Sequence, residues 1–264
     1  MPTKEDLPPR DELAPRHPAP LADVIAEIRE QHRMRTDYHS AEKRLTNQIK
    51  AIERRTAKAS GVHPDAANQW SRDAQDEAGD EPLQISSLVS VHLADCRAQI
   101  EAHRKAHEKR VAVLAQQLPA WSWVEARRGF GALGLGQIVG EAGNISDYAD
   151  PAKLWKRMGL AVINGERQRR VADADLAREH GYSPRRRAVM FCLGDSMIRA
   201  KGVYYPFYSE RKAHELERPW CGSCRPAGSK KPREHCTPGH AHNRARRYME
   251  KRMLRDLWRA WTGS

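Results

Sequence analysis

The sequence predicts an all-α protein in two parts, a long antiparallel coiled-coil hairpin and a compact helical domain built around a helix-hairpin-helix. Three observations predict it. Apolar residues recur with a seven-residue helical repeat through two long stretches, glycines and prolines cut the remainder into helix-sized pieces, and no alternating strand pattern of useful length occurs. Hydrophobic residues make up 39% of the 264 and charged residues 30%, so a core can form beneath a heavily charged surface. The parts run as a Pro-rich arm over 1–20, the hairpin over 21–118 with an acidic loop at 56–86, and a domain over 119–264.

The arm, MPTKEDLPPRDELAPRHPAP, is too polar and Pro-rich to bury a core and is expected to be disordered. Residues 21–55 then read as one helix. A heptad seam runs through Leu21, Val24, Ile28, Gln31, Arg35, Tyr38, Glu42, Leu45, Ile49 and Ile52. Gly61, Pro64, Gly79 and Pro82, with Asp73, Asp76, Glu77, Asp80 and Glu81, make the following segment a loop. A second helix over about 88–118 carries Val89, Leu93, Cys96, Ile100, His103, His107, Val111 and Leu114. Both seams are apolar at the ends and polar in the middle. An antiparallel register sets Ile28 against Leu114, Arg35 against His107, Tyr38 against His103, Leu45 against Cys96, Ile49 against Leu93 and Ile52 against Val89. Like then faces like throughout, within one chain or between the two chains of a homodimer. Pro119 stops the second helix, because it lacks a backbone donor.

Charge is segregated along the chain. The whole carries a net +12, yet residues 151–264 alone hold a surplus of 15 positive charges and residues 1–150 a small negative balance. Such a distribution is the footprint of a polyanion binder, and DNA is the expected partner, with structured RNA as an alternative. No apolar run is long enough for a membrane span and none resembles a signal peptide, so the reading is a cytoplasmic protein with no membrane partner. Five cysteines, an odd number, argue against a disulfide framework.

Three constellations could carry function. Gly129-Phe130-Gly131 joins the short segment Trp123-Val124-Glu125 to a helix from Leu133 to Ala142, the pattern of a helix-hairpin-helix. Its glycines would let the next helix's free N–H groups approach a phosphate, with Arg127 and Arg128 beside them. The alternative is a turn used for packing alone. The second is Cys221-x2-Cys224-x11-Cys236-x3-His240, inside a Gly- and Pro-rich insertion at 219–242. Three thiols and an imidazole at this spacing suit a structural zinc ion, with His242 or His235 able to replace His240. The third is a set of arginines: Arg167, Arg169 and Arg170, then Arg185, Arg186 and Arg187, then Arg244, Arg246 and Arg247. Guanidinium forks match phosphate oxygens, and a solvated charged face is the alternative. Ser183 before Pro184 reads as a helix cap, which places three arginines where they oppose the helix dipole unless an anion lies across them.

No catalytic set is evident. Asp147, Asp150, Asp173, Asp175 and Asp195 form no spaced carboxylate cluster, Asp173 and Asp175 read as a cap or turn, and Cys192 in the run AVMFCL is expected in the core.

The stretch GFGALGLGQIVGEAGNISDYADPAKLWKRMGLAV resembles the C-terminal transposase domain of the DEDD-type insertion-sequence transposases, the group of bridge-RNA recombinases and Piv-type invertases. The matching pieces are the hairpin Gly129 to Gly131, the small-residue helix ending at Glu141 to Asn144, and the segment Leu154 to Leu160. The resemblance covers residues 88–200 and implies a role in transposition or recombination of a mobile element or phage. That family precedes the coil with a RuvC-like nuclease domain and places a nucleophilic serine soon after the Gly-Leu. This chain leads into the coil through the Pro-rich arm, and after Gly159-Leu160 the next serine is Ser183. The expected function is therefore binding, with an enzyme subunit using Ser183 or Tyr182 beside a nuclease from another chain, or an RNA-binding module, as alternatives.

Overall fold

A computed structural model describes residues 20–59, 85–222, 224 and 234–263. Residues 1–19 of the arm expected at 1–20, residues 60–84 of the loop expected at 56–86, and residues 223 and 225–233 of the insertion lie outside the described residues, while 56–59 and 85–86, expected in the loop, are helical.

The fold is mostly helical. Helix α1 (Leu21–Ala59) and helix α2 (Ile85–Ala115) are the two long elements. They run in opposite directions, because contacts step down α2 as they step up α1. Glu27 pairs with Arg110 at 2.6 Å, Arg35 with Glu108 at 2.9 Å and Glu42 with Arg104 at 2.7 Å. Tyr38 stacks between His103 and His107, both rings 5.3 Å from its own. The Tyr38–His103 contact is the one the register places there. Arg35, expected opposite His107, reaches Glu108 instead, and His107 bonds Gln31 at 2.6 Å.

Only one end of this pair is part of a core. Val24, Ile25 and Ile28 of α1 and Val111, Leu114 and Ala115 of α2 are buried, whereas Leu88, Val89 and Val91 are exposed. The buried end is covered by helix α4 (Ala132–Ala142), which follows the short α3 (Trp121–Glu125). Glycines let α4 approach closely. A Cβ at position 136 would stand 2.3 Å from Val111 Cγ1, and one at position 140 would stand 2.7 Å from the His32 side chain.

A 3₁₀ turn (Ile145–Asp147) leads to α5 (Pro151–Arg157), capped by Asp150, whose carboxylate accepts from Ala152 N and Lys153 N. The only strands among the described residues, β1 (Val162–Ile163) and β2 (Glu166–Arg167), form a tight antiparallel hairpin. Helix α6 (Ala174–His180) follows with Asp173 as its cap, the role expected of that residue. Helix α7 (Pro184–Ala200) starts at the expected Ser183 cap, whose hydroxyl accepts from Arg186 N. Helix α8 (Tyr205–Glu217) and the long closing helix α9 (Pro238–Thr262) complete the domain. The inward face of α9 supplies Met249, Met253, Leu254, Leu257 and Trp261 to the core, beside Phe130, Leu135, Ile138, Leu154 and Met190.

Cys192 is not in the core but exposed. The apolar run AVMFCL goes round the whole helix, and the stripe turned inward is Val189, Met190, Leu193 and Met197 at helical spacing. Phe191 is left outside with it and is covered by the Arg246 guanidinium, 3.5 Å above its ring.

Candidate metal centre and basic groove

The described ends of the cysteine-rich segment are tied together. Pro219 bridges to His235, Trp220 N donates to Glu234 O at 2.9 Å, and the Trp220 indole donates to Cys224 O at 2.7 Å. The closure brings both ends of the segment onto the start of α9. Thr237 caps that helix by accepting from His240 N at 3.2 Å, which fixes His240 in the first turn. Cys221, Cys224, Cys236 and His240 thereby converge, with all four ligand atoms within 4.8 Å of one another, a grouping that could hold a metal ion.

Its dimensions suit a tetrahedral ion. Zn–S near 2.3 Å and Zn–N near 2.0 Å set neighbouring ligand atoms about 3.5–3.8 Å apart. Cys221 Sγ lies 3.4 Å from His240 Nδ1. Thr237 N donates to Cys224 Sγ at 3.3 Å, a bond that favours the thiolate a metal requires. Burial pushes the Cys236 thiol above its ordinary pKa, and the other two thiols stand beside it. The two alternative imidazoles are turned elsewhere. His242 Nδ1 bonds Tyr208 Oη at 2.7 Å, and His235 Nδ1 donates to Arg218 O at 3.4 Å.

The arginines separate into three kinds. Arg128, Arg167, Arg169 and Arg170 are exposed. Arg169 has only a surface ion pair with Glu166, at 3.1 Å. A second set is tied to carboxylates inside the domain. Arg185 reaches Glu141 at 2.5 Å and Arg186 approaches the same side chain at 3.8 Å. Arg187 pairs with Glu250 at 3.1 Å, and Arg244 with Glu215 at 2.9 Å. Arg247 reaches the Gly159 carbonyl at 3.4 Å. Arg246 makes up the third kind. It is 3% exposed, lies 3.6 Å from Glu250 and points into the domain, out of reach of a partner. The three arginines opening α7 thus oppose its dipole for an internal reason, since buried carboxylates from α4 and α9 lie across the helix start.

Two of those carboxylates are residues that the chain's charge pattern does not single out. Glu141 has a side chain only 1% exposed and also bonds His32 Nε2 at 3.0 Å. Burial raises its pKa, but the hydrogen bonds from His32 and Arg185 outweigh that effect and hold it below the ordinary value. Glu250 is completely buried, and there burial prevails over Arg187 and Arg246, pushing the carboxyl up to about 7. A sequence signal existed for Glu141, at the end of the small-residue helix. Nothing local marks Glu250, one of many charges on a basic helix.

The hairpin turn is partly structural. Gly129 has φ +83°, and a Cβ there would meet Ala200 Cβ at 2.7 Å and Met197 Cα at 2.8 Å, so this glycine is packed against α7. Arg127 folds back over the Trp123 ring, 3.8 Å from its centre. Gly131, by contrast, is exposed and faces open space, beside the half-buried start of α4.

A groove of about 880 Å³ joins the metal-ligand cluster to the basic residues. It is lined by Cys221, Cys224 and His240 of the cluster, by Glu166, Arg167 and Arg169 from β2 and its continuation, and by Asn243, Arg244 and Arg247 of α9. Neither Arg170 nor Arg128 lines it. Ser183 is engaged as the α7 cap and no carboxylate cluster accompanies it. Among the described residues no helix is long and apolar enough to cross a membrane. No protein-family model, no curated protein and no solved structure matches the chain.

Proposed function

We propose that the protein binds nucleic acid through the groove of its C-terminal domain, with a structural zinc ion fixing one wall, and that it derives from the transposases its sequence resembles. The observation that carries this reading is the juxtaposition of the Cys/His cluster with Arg167, Arg169, Arg244 and Arg247 around one cavity. Zinc is the ion that three cysteines and one histidine suit best, and four protein ligands leave no open position for a catalytic water. Its work here is to hold a Gly- and Pro-rich segment that has little apolar material of its own.

Glu215 neutralises Arg244, so Arg167 and Arg169 are the cations most available to phosphate, with Arg170 following on the same exposed segment. Among the described residues no Phe, Tyr or Trp side chain lines the groove, which favours contacts to the sugar-phosphate backbone over stacked bases. Gly131 and the exposed Arg128 at the start of α4 supply a second phosphate contact of the helix-hairpin-helix kind. The two long helices then act as a coiled-coil arm anchored to the domain through α4. Duplex DNA is the partner proposed, for a role in recombination of a mobile element.

Fluorescence anisotropy against labelled duplex DNA at several salt concentrations tests this reading. Replacing Arg167, Arg169 and Arg170 by Gln should reduce the slope of log affinity against log salt by roughly 2–3, because each phosphate left without its arginine takes about one unit from the slope. An unchanged slope refutes the interface. A structured RNA probe run in parallel refutes DNA as the partner if it binds the more tightly.

A further inference from the structure

We propose that a second basic cavity, between the 3₁₀ turn, α5 and the start of α7, is a binding site for a phosphate group. The cavity has a volume of about 510 Å³ and is lined by Lys153, Lys156, Arg157 and Arg186, with Asp147 as the single carboxylate. Apart from Arg186, these cations belong to none of the arginine clusters that the sequence displays. Lys156 and Arg157 follow Lys153 by three and four residues on α5, so the three share one side of the helix. Arg186 comes to them from the first turn of α7.

The charge balance around this cavity is unfilled. The carboxylate nearest Arg186 is Glu141, 3.8 Å away, and Glu141 is already closer to Arg185 and His32, at 2.5 Å and 3.0 Å. Arg157 spends its Nε–H on the Glu141 carbonyl at 3.0 Å. The Glu141 carboxylate is therefore shared by two guanidinium groups and an imidazole, and Arg157 has only a backbone carbonyl as partner. Burial, and after it the neighbouring Arg157, push the Arg186 pKa below its ordinary value. Lys153 and Lys156 are exposed, and neither is in an ion pair among the described residues. Two guanidinium forks and two mobile ammonium groups around one opening can surround a tetrahedral oxyanion, and a bound phosphate would relieve the repulsion between Arg157 and Arg186. The inference requires only a phosphate, and so does not depend on the groove beside the metal cluster.

Thermal unfolding of the full chain tests it, with inorganic pyrophosphate as the probe and sodium chloride of equal ionic strength as the control. Pyrophosphate should raise the Tm beyond chloride, because a ligand of the folded state stabilises it in proportion to the logarithm of its saturation. The rise should vanish in a Lys153→Gln, Lys156→Gln protein, whose Tm in chloride should match the wild type since both side chains are exposed. It should persist when Arg167, Arg169 and Arg170 are replaced, which separates this site from the groove. Equal Tm values in pyrophosphate and chloride overturn the proposal, and so does a rise the lysine variant retains. Displacement of pyrophosphate by a duplex oligonucleotide in calorimetric competition would identify the bound phosphate as part of a nucleic-acid backbone. Pyrophosphate that DNA does not displace would identify a small phosphorylated molecule, and either result supports the site.

Discussion

Replacing Glu141 by Gln should weaken the joint between the long helices and the C-terminal domain more than any other single polar change near it. The side chain is 1% exposed, and so nearly is its partner His32, at 2%. Gln keeps the size but removes the charge that Arg185 and Arg186 approach and one of the two oxygens they share with His32. Weakening a hydrogen bond to a buried charged group costs about 1.5–3 kcal/mol. Arg185 is 56% exposed, so screening makes its share small, and the cost rests mainly on the His32 contact. For a chain of this size the loss corresponds to a Tm decrease of roughly 3–12 °C. The sign of its pH dependence follows from the lowered pKa of Glu141. A carboxyl depressed in the folded state contributes its stability above the unfolded value, about 4.3, and loses it as pH falls through the folded value. Urea unfolding followed by circular dichroism at pH 7 and pH 3.5 should therefore show a wide gap between the two proteins at pH 7 and a narrower one at pH 3.5. A variant within 1 kcal/mol of wild type at pH 7 would refute the reasoning, as would a gap of constant size across that range.

Two further expectations concern the metal and the helix contact. Purified under reducing, chelator-free conditions, the protein should contain about one zinc ion per chain by elemental analysis, and a Cys224→Ser protein should contain none. A metal-free wild type would remove zinc from the account. Gly136→Ala should destabilise by about 1–3 kcal/mol in chemical unfolding, because its new methyl would overlap Val111 Cγ1 and the better helix propensity of Ala offsets only part of that cost. A neutral or stabilising result would mean that α2 can move away from α4 without loss.

The sequence by itself determined that the fold is mostly helical and marked several helix starts, but not the helix ends: the first long helix runs on to Ala59, and the second stops at Ala115, short of Pro119. Ser183 before Pro184, Asp150 before Pro151 and Asp173 before the α6 run act as caps through bonds within two or three residues, so their effect is local and legible. The spacing of Cys221, Cys224, Cys236 and His240 is legible for the same reason, since a short Gly- and Pro-rich loop can close around one point. Of the pairings expected in the polar middle of the long helices, Tyr38 on His103 is present, whereas Arg35 reaches Glu108 rather than His107. What only the tertiary structure decided is which cations are free. Arg185 and Arg169 look alike in the sequence, but Glu141 lies 44 residues before Arg185 and reaches it only after α4 has packed beneath α7. Arg246 is buried because its side of α9 turns toward Glu250 and Phe191, and Cys192 is exposed because its apolar run is longer than the face α7 has to bury. Burial and ion pairing between distant helices depend on how whole faces meet, and a charge count along the chain holds no record of that.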